Sequence, residues 1–209
     1  AKPVVVLLGG QTSQGQQAAA SHTGSLASST EIWRGLARQT GVVIVRTLDE
    51  FLDVLLAFQT LAPRRQRATR RCVLFGNGGG TSVLAADAFG RRGLEVTPMP
   101  KPAVEALAAL GLPPGTSIVN PIDAPAYTLR HEEGRIAERI LDVALRHGEP
   151  DAVVMHINLP VFMGSADQRT DVLGNLVDAA MRARAHHPGQ AHFALVLRSD
   201  GAEPSERRR

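Results

Sequence analysis

The stretch CVLFGNGGGTSVLAADAFGRRG, residues 72–93, joins an apolar run, a cluster of glycines and a helix-forming segment. The apolar run at residues 72–76 predicts a buried β-strand, and residues 82–93 predict a helix. The glycines between them predict a tight turn that leads directly from the strand into the helix. A strand followed at once by a helix is the repeating unit of a parallel α/β sheet.

The same alternation continues to the end of the chain. Apolar runs predict strands, and apolar residues at helical spacing predict helices. The predicted strands and helices follow one another at residues 94–99, 101–111, 133–148, 151–159, 166–186 and 192–199. We therefore expect an α/β fold with a flavodoxin-like, doubly wound parallel sheet, helices on both faces and right-handed crossovers.

The first third of the chain offers fewer elements. It contains a predicted strand at residues 3–9, a polar loop at 10–27 and a second strand at 42–45. Capping boxes predict the starts of two helices, one formed by Ser28 and Glu31, the other by Thr47 and Glu50. Two strands and two helices are too few for a doubly wound domain. We expect them to form a partial second α/β unit.

Pro63 and an arginine-rich run interrupt the periodicity between these two parts. We therefore expect a partial unit at residues 1–62, a basic linker at 63–70 and a flavodoxin-like domain at 71–209. The arginines at 64–71 could contact nucleic acid or a membrane surface. We interpret them as a solvated linker because the net charge of the chain is only +3.

The composition excludes several classes of protein. Hydrophobic residues make up 44% and charged residues 21%, which is typical of a globular protein. Aromatic residues make up only 4%, too few to stack many bases of a single strand. Cys72 is the only cysteine, so we expect no disulfide framework, a reducing compartment and a cytoplasmic location. The apolar run at residues 4–8 is too short to span a membrane.

The glycine-rich turn could bind an anion. Such a turn leaves backbone N–H groups and the positive end of a helix dipole facing outward, which suits phosphate. Thr81 stands where the dinucleotide fingerprint has its last glycine, and no Gly-Lys-Ser/Thr of a P-loop is present. Glycines in this position also allow close packing of strand and helix. Both interpretations of the turn stay open at this point.

A lone histidine lies in AAASHTGSLAS, residues 18–28. A metal site is disfavoured because the nearest other histidine, His131, lies in the other predicted domain. The segment also contains no carboxylate that could orient His22 as a general base. One interpretation is a nucleophile whose neutral imidazole attacks phosphorus and carries the phosphoryl group. The other is an ordinary surface histidine.

Five stretches carry a family resemblance over nearly the whole chain. In order they are KPVVVLLGG, AAASHTGSLA, GVVIVRTLDEFLD, VLFGNGGGTSVLAADA and NPIDAPA. Together they resemble the nucleoside-diphosphate-forming (NDP-forming) acyl-CoA synthetases. These enzymes include ADP-forming acetyl-CoA synthetase and are relatives of succinyl-CoA synthetase. The pairing of His-Thr-Gly with Asn-Gly-Gly-Gly makes the resemblance specific.

The resemblance implies an acid–thiol ligase that interconverts acyl-CoA, NDP and phosphate with the free acid, CoA and nucleoside triphosphate. It implies that His22 is catalytic and is phosphorylated on a mobile loop supported by Ser21, Thr23 and Gly24. The implied phosphate-binding residues are Asn77, Gly78, Gly79, Gly80 and Thr81. A loop with Asn120, Pro121 and Asp123 matches a CoA or phosphate loop of the family, although Asn-Pro followed by Asp also favours a turn.

The resemblance also implies substrates and partners. CoA and ATP or ADP with Mg would be substrates of the full enzyme, bound mainly by a CoA-binding Rossmann domain and an ATP-grasp domain or subunit. An acyl-CoA or carboxylic acid is the further substrate, a homo-oligomer is allowed, and no metal site is expected in this chain. We expect the chain to be incomplete and inactive alone. The alternative is a non-catalytic module that binds CoA or phosphate or docks an ATP-grasp partner.

Overall fold

The computed structural model describes residues 2–23, 29–61, 68–163 and 171–198. The side chains of four residues in these ranges, His22, Thr23, His131 and Met163, lie outside the description. The chain divides into two compact units, Ala1–Arg65 and Gln66–Arg209. None of the helices in the described ranges is both long enough and apolar enough to cross a membrane.

Within residues 2–23 and 29–61, the first unit contains a two-stranded parallel sheet and three helices. In chain order its elements are β1 (Val5–Leu7), α1 (Ser13–Thr23), α2 (Thr30–Thr40), β2 (Val43–Val45) and α3 (Leu48–Thr60). Among the described residues of this unit, only Val45 is buried. Apolar side chains such as Ile32, Leu48 and Leu52 are 55–69% exposed. The unit therefore buries little of its apolar surface.

The prediction of a polar loop at residues 10–27 is wrong for most of that range, because α1 occupies residues 13–23. The first turn of this helix is supported by Thr12, whose Oγ1 accepts a hydrogen bond from the N–H of Gly15 at 3.1 Å. Three successive alanines in α1 favour a helical backbone. His22 consequently belongs to the last turn of a helix rather than to a glycine- and serine-rich loop.

The two predicted capping boxes have different outcomes. The cap of α2 is Ser29 and not Ser28, because the Ser29 hydroxyl accepts from the N–H of Glu31 and is bonded to the Glu31 carboxylate. Ser28 itself lies outside the described residues. The cap of α3 is confirmed, since Thr47 Oγ1 accepts from the N–H of Glu50 at 3.1 Å. The apolar pattern locates both helices, but side-chain geometry selects the capping serine.

The described part of the second unit contains a four-stranded sheet with the order β4-β3-β5-β6, and all of its neighbouring strands are parallel. Its strands are β3 (Cys72–Gly76), β4 (Ile122–Asp123), β5 (Ala152–Asn158) and β6 (His192–Arg198). Its helices are α4 (Gly79–Gly90), α5 (Lys101–Ala108), α6 (Ala126–Arg130), α7 (Arg135–Gly148), α8 (Leu159–Met163) and α9 (Val172–His186). The chain leaves β3 toward β4 on one side and later adds β5 and β6 on the other, which is doubly wound topology.

Helices cover both faces of the sheet around β3 and β5. On one face, α5, α7 and α9 pack on alternate strand residues and form the main core, which includes Phe75, Leu107, Ile140 and Leu176. On the other face, α4 contacts β5 through Ser82. Six of the seven residues of β5 are buried, as expected of a strand covered on both faces.

Residues 94–99 do not form the predicted strand. Glu95 makes a single parallel bridge with Arg71, and β4 pairs farther along the same edge of β3. Between these two contacts the side chain of Asn120 bonds to the β3 backbone in place of a strand. The prolines at 98 and 100 lack an N–H donor, so this segment cannot continue a hydrogen-bonded ladder.

Gly76 provides the first test of this packing. A Cβ atom built on Gly76 would lie 1.9 Å from the carbonyl oxygen of His156 and 2.6 Å from its Nδ1. We expect Gly76→Ala to lower the free energy of unfolding by about 1–3 kcal/mol or more, because the backbones of β3 and β5 must move apart. Urea unfolding followed by circular dichroism measures the change.

Gly90→Ala is the matched control, because nothing lies within 4 Å of a Cβ built at Gly90. We expect its stability to stay within about 0.5–1 kcal/mol of the wild type. Equal unfolding midpoints for the two variants would contradict the proposed contact at Gly76.

Candidate functional site

The glycine turn, defined here as residues 77–81, lies at the carboxyl ends of β3 and β5. The chain adds β4 on one side of β3 and β5 on the other, so the topological switch point lies between β3 and β5. Ligands of open α/β sheets bind at such a switch point. A cleft of about 180 Å³ opens there, lined in part by Asn77, Gly78, Asp123 and Asn158. The fold therefore directs the glycine turn to the edge where binding sites form.

Asn77 joins β3 to β5. Its Oδ1 accepts from the N–H of Asn158 at 2.9 Å, and its own N–H donates to the carbonyl of His156 at 3.3 Å. The Nδ2 of Asn77 approaches the carbonyl of Asn158 at 3.5 Å. The side chain is 4% exposed. The amide thus extends the pairing of the two strands by one step and positions the start of the turn.

Asp123 accepts a hydrogen bond from Gly78, one of the residues that the family resemblance assigns to phosphate binding. The N–H of Gly78 donates to Asp123 Oδ1 at 2.7 Å. Gly78 has a φ of 125°, a conformation that favours glycine. The second carboxylate oxygen lies 3.3 Å from the position of a Cβ on Gly79. A carboxylate is favourable beside the start of α4 because the helix dipole is positive there.

The first turn of α4 leaves further donors accessible. Gly78 is the N-cap and provides no side chain to bond to the helix. The N–H groups of Gly79, Gly80 and Thr81 have no acceptor inside the helix, because the first turn has no preceding carbonyls. Gly79 and Gly80 are exposed and Thr81 is half-buried. An anion can therefore approach α4 at this end, next to Asp123.

His156 links the turn to the strand beneath it. Its Nε2 lies 3.1 Å from Ser82 Oγ, which donates to the carbonyl of Gly78 at 3.3 Å. The ring is 3% exposed and lies against Gly76. Burial lowers the pKa of His156, and the charge of Asp123 opposes this shift only in part. The imidazole therefore favours its neutral form, and it connects the second turn of α4 to β5.

The loop with Asn120 and Pro121 stabilises the edge of the sheet at β3. Asn120 Nδ2 donates to the carbonyls of Cys72 and Thr97 at 2.7 and 3.0 Å, and its Oδ1 accepts from the N–H of Leu74 at 2.9 Å. The Asn120 amide is buried, and both of its N–H donors and its oxygen take part in these three bonds. Asp123 is the one of the three predicted loop residues that reaches the cleft.

The predicted carrier residues belong to the other unit. Ser21 is exposed, and its hydroxyl donates to the carbonyl of Ala18 at 2.7 Å. The backbone of His22 and Thr23 forms the end of α1. Gly24 and the side chains of His22 and Thr23 lie outside the described residues. The structure thus brings together the glycine turn and Asp123, while the direction of the His22 imidazole is not described.

Sequence reasoning did not identify Ser82, Asn158 and the contact of His156 as parts of this site. Ser82 is an ordinary helix residue in the sequence, and His156 stands in an apolar strand typical of a core histidine. Their contacts join residues that are 74 and 81 positions apart in the chain. Only the register of β3 against β5, which pairs Gly76 with His156, could have indicated them.

Comparisons with known proteins identify the family. Residues 1–58 match the family described as succinyl-CoA ligase like flavodoxin domain. The chain is 34% identical over 163 residues to the alpha subunit of acetate–CoA ligase [ADP-forming] II from Pyrococcus furiosus. By these matches the chain is similar to the NDP-forming acyl-CoA synthetases. The family predicted from the sequence is confirmed.

A second relative is named for a different acid. The chain is 30% identical over 156 residues to 4-hydroxybutyrate–CoA ligase [ADP-forming] from Nitrosopumilus maritimus, covering 73% of this chain and 21% of that protein. The match to the Pyrococcus furiosus subunit covers 78% of this chain and 34% of the subunit. The chain thus spans about a third or less of the length of these relatives.

A solved acetyl-CoA synthetase has the same fold. The dinucleotide forming acetyl-coenzyme A synthetase 1 of Ca. Korarchaeum cryptofilum, solved in complex with phosphate and ADP, matches 96% of this chain and 40% of its own, with a TM-score of 0.73 and 23% identity. The predicted α/β fold with a flavodoxin-like parallel sheet is confirmed by this match and by the family domain.

The role of Asn120 in this acyl-CoA synthetase fold can be tested by one substitution. Asn120→Asp removes the Nδ2 donor to two carbonyls and introduces a buried carboxylate. We expect a loss of about 1–3 kcal/mol for each carbonyl left without a partner, measured by urea unfolding. Asn175→Asp, on a half-buried position of α9, is the control and should stay within about 0.5 kcal/mol. A stable Asn120→Asp variant would refute the structural role.

Burial of His156 predicts a pH dependence of stability. Its pKa in the folded chain is lower than the ordinary value of 6.5. The unfolded chain therefore binds more protons between the two pKa values, and stability falls as the pH drops below about 6.5. The slope contributed by one histidine is at most about 1.4 kcal/mol per pH unit. The loss is complete only below the folded pKa.

We expect His156→Gln to reduce the pH dependence of unfolding between about pH 7.5 and about pH 5.5, the range in which histidine titrates. Urea unfolding of both proteins across this range measures the two slopes. Identical slopes in the wild type and in His156→Gln would show that His156 is not the buried base described here.

Proposed function

We propose that the chain supplies the phosphohistidine-bearing and flavodoxin-like ligase parts of an NDP-forming acyl-CoA synthetase. Such an enzyme interconverts acyl-CoA, NDP and phosphate with the free acid, CoA and nucleoside triphosphate. The observation that carries the proposal is the 34% identity over 163 residues with the alpha subunit of an ADP-forming acetate–CoA ligase. The glycine turn at the switch point of the sheet supports it independently.

In this proposal His22 is the nucleophile. In the direction that consumes nucleoside triphosphate, a lone pair on its neutral imidazole attacks the γ-phosphorus. The bond from that phosphorus to the bridging oxygen breaks as the nitrogen–phosphorus bond forms, and nucleoside diphosphate leaves. The leaving oxygen takes the electron pair of the broken bond. Transfer of the phosphoryl group from His22 to a nucleoside diphosphate reverses these bond changes and restores the neutral ring. The histidine is therefore a carrier between two reactions.

A phosphohistidine needs hydrogen-bond donors, and α1 is poorly placed to offer them. The backbone of His22 lies at the carboxyl end of that helix, where the dipole is negative. The first turn of α4 has the opposite polarity, with about half a positive charge and outward N–H groups. We propose that Gly79, Gly80 and Thr81 bind the phosphoryl group. Asp123 and Asn77 hold the turn in the conformation that presents these donors.

The remaining substrates and partners are proposed from the family. CoA, ATP or ADP with Mg, and an acyl-CoA or carboxylic acid are the substrates of the whole enzyme. A CoA-binding Rossmann domain and an ATP-grasp domain or subunit are its other parts. The cytoplasmic location, the absence of nucleic-acid binding and a homo-oligomer stay predictions.

Phosphorylation of His22 is the direct test. The purified chain is incubated with Mg-ATP and an active ATP-grasp partner subunit, and intact mass spectrometry measures any phosphoryl adduct. We expect one phosphoryl group per chain, labile in acid and stable in base, that is absent in His22→Ala. His147→Ala, a half-buried histidine of the second unit, is the control and should keep the adduct.

Two substitutions at Gly80 distinguish the contribution of its N–H group to phosphoryl binding from its contribution to the conformation of the turn. Gly80→Pro removes an N–H group in the first helical turn, where proline is tolerated, and should slow formation of the adduct. Gly80→Ala keeps the N–H and meets nothing within 4 Å, so it should phosphorylate normally. Absence of any adduct in the wild type, with a partner shown to be active, would favour the non-catalytic docking module.

A further inference from the structure

Ser82 lies between the start of α4 and the strand β5. Within α4, all of which the structure describes, it is the only buried residue. Its hydroxyl lies 3.1 Å from His156 Nε2 and donates to the carbonyl of Gly78 at 3.3 Å. The backbone N–H of Ser82 donates to the same carbonyl at 3.1 Å. A single residue thus provides two hydrogen bonds to the carbonyl of the N-cap.

The surroundings of the His156 ring determine which of its nitrogens carries the proton. Nδ1 is buried and has no hydrogen-bond partner among the described residues. It lies 2.6 Å from the place that a Cβ on Gly76 would occupy, and a hydrogen of the Gly76 α-carbon points there. A lone pair on Nδ1 attracts that hydrogen weakly, whereas an N–H would repel it. The proton of the neutral ring therefore belongs on Nε2.

This protonation sets the direction of the hydrogen bonds around Ser82. The Nε2–H of His156 donates to the Ser82 hydroxyl oxygen, so the single hydroxyl hydrogen is left for the carbonyl of Gly78. A bond from a helical serine to the carbonyl four residues earlier is a common arrangement. Successive hydrogen bonds also polarise one another, by about 10–30% per bond. The carbonyl of Gly78 is therefore held at the end of a hydrogen-bonded chain that begins on β5.

The carbonyl of Gly78 belongs to the same peptide unit as the N–H of Gly79. The carbonyl and the N–H of a trans peptide point in opposite directions. When the carbonyl is held toward the helix, the N–H points out of the amino end of α4, where Gly79 is exposed. Neither glycine has a side chain that could restrain this peptide. Its orientation therefore depends on Ser82, as that of the preceding peptide depends on Asp123.

We propose that Ser82 and His156 are positioning residues for the phosphoryl group, on which they act through the peptide between Gly78 and Gly79. Their role rests on the proposed function, in which the first turn of α4 binds that group. Ser82 is 5% exposed and His156 is 3% exposed, so neither side chain reaches the anion itself. Loss of either hydrogen bond should let the peptide rotate and weaken anion binding while α4 remains folded.

Titration of the isotope-labelled 209-residue chain with inorganic phosphate, followed by NMR at the Gly79 amide, tests the proposal. We expect Ser82→Ala to weaken phosphate binding about threefold to tenfold, the effect of losing one hydrogen bond. Thr60→Ala is the matched control, because it removes a hydroxyl that donates to the carbonyl four residues earlier, at 2.9 Å, in α3. This control should bind phosphate like the wild type.

Two substitutions at His156 test the start of the hydrogen-bonded chain. His156→Leu removes the N–H donor and should weaken phosphate binding about twofold to fivefold. His156→Gln keeps a side-chain N–H that can donate to Ser82, so it should bind phosphate like the wild type. The imidazole nitrogen resonances of the wild type without phosphate should show a proton on Nε2 and none on Nδ1. This last measurement is independent of the proposed function.

Circular dichroism of each variant checks that it is folded, and if Ser82→Ala does not fold, His156→Leu compared with His156→Gln decides the outcome. Folded Ser82→Ala or His156→Leu that binds phosphate as tightly as the wild type would overturn the positioning role and leave the anion site intact. A proton on Nδ1 would also overturn that role. A wild type in which phosphate does not shift the amides of residues 79–81 would overturn the anion site and the positioning role together.

Discussion

The close approach of Gly76 to His156 is the contact on which the candidate site depends. The two residues pair at the carboxyl ends of β3 and β5, and any side chain on Gly76 would collide with the backbone of His156. This approach lets Asn77 bond to Asn158 one step farther along. It also lets the His156 ring reach Ser82 on α4. The start of α4, with its outward N–H groups, is therefore positioned by a glycine in the strand before it.

Asp123 changes how the glycine turn can bind an anion. Its carboxylate accepts the N–H of Gly78 and lies at the positive end of α4, so it already takes part of the stabilisation that an isolated helix terminus offers. A phosphoryl group must therefore rely on the donors of Gly79, Gly80 and Thr81. The carboxylate also holds Gly78 at a φ of 125°. Asp123 thus limits where the anion binds while it maintains the turn.

The two units contribute different parts of the proposed chemistry. The family domain matched at residues 1–58 contains His22, whereas the glycine turn belongs to the second unit. Most of the apolar helix residues of the first unit stay exposed, and the second unit contains the main core. The chain spans 34% of the Pyrococcus furiosus subunit, so the acyl-CoA synthetase reaction is proposed for a larger assembly.

Local patterns in the sequence determined the α/β class, the buried strands, the helices α5 and α7 and the position of the glycine turn, because periodicity and turn residues act over a few positions. They misassigned α1 and residues 94–99, where alanine content and proline placement competed with the apolar pattern. Only the tertiary structure decided that Asn120 replaces a strand and that Asp123 bonds to Gly78. The reason is physical, since these bonds join residues 45–48 positions apart, which only the pairing of strands brings together.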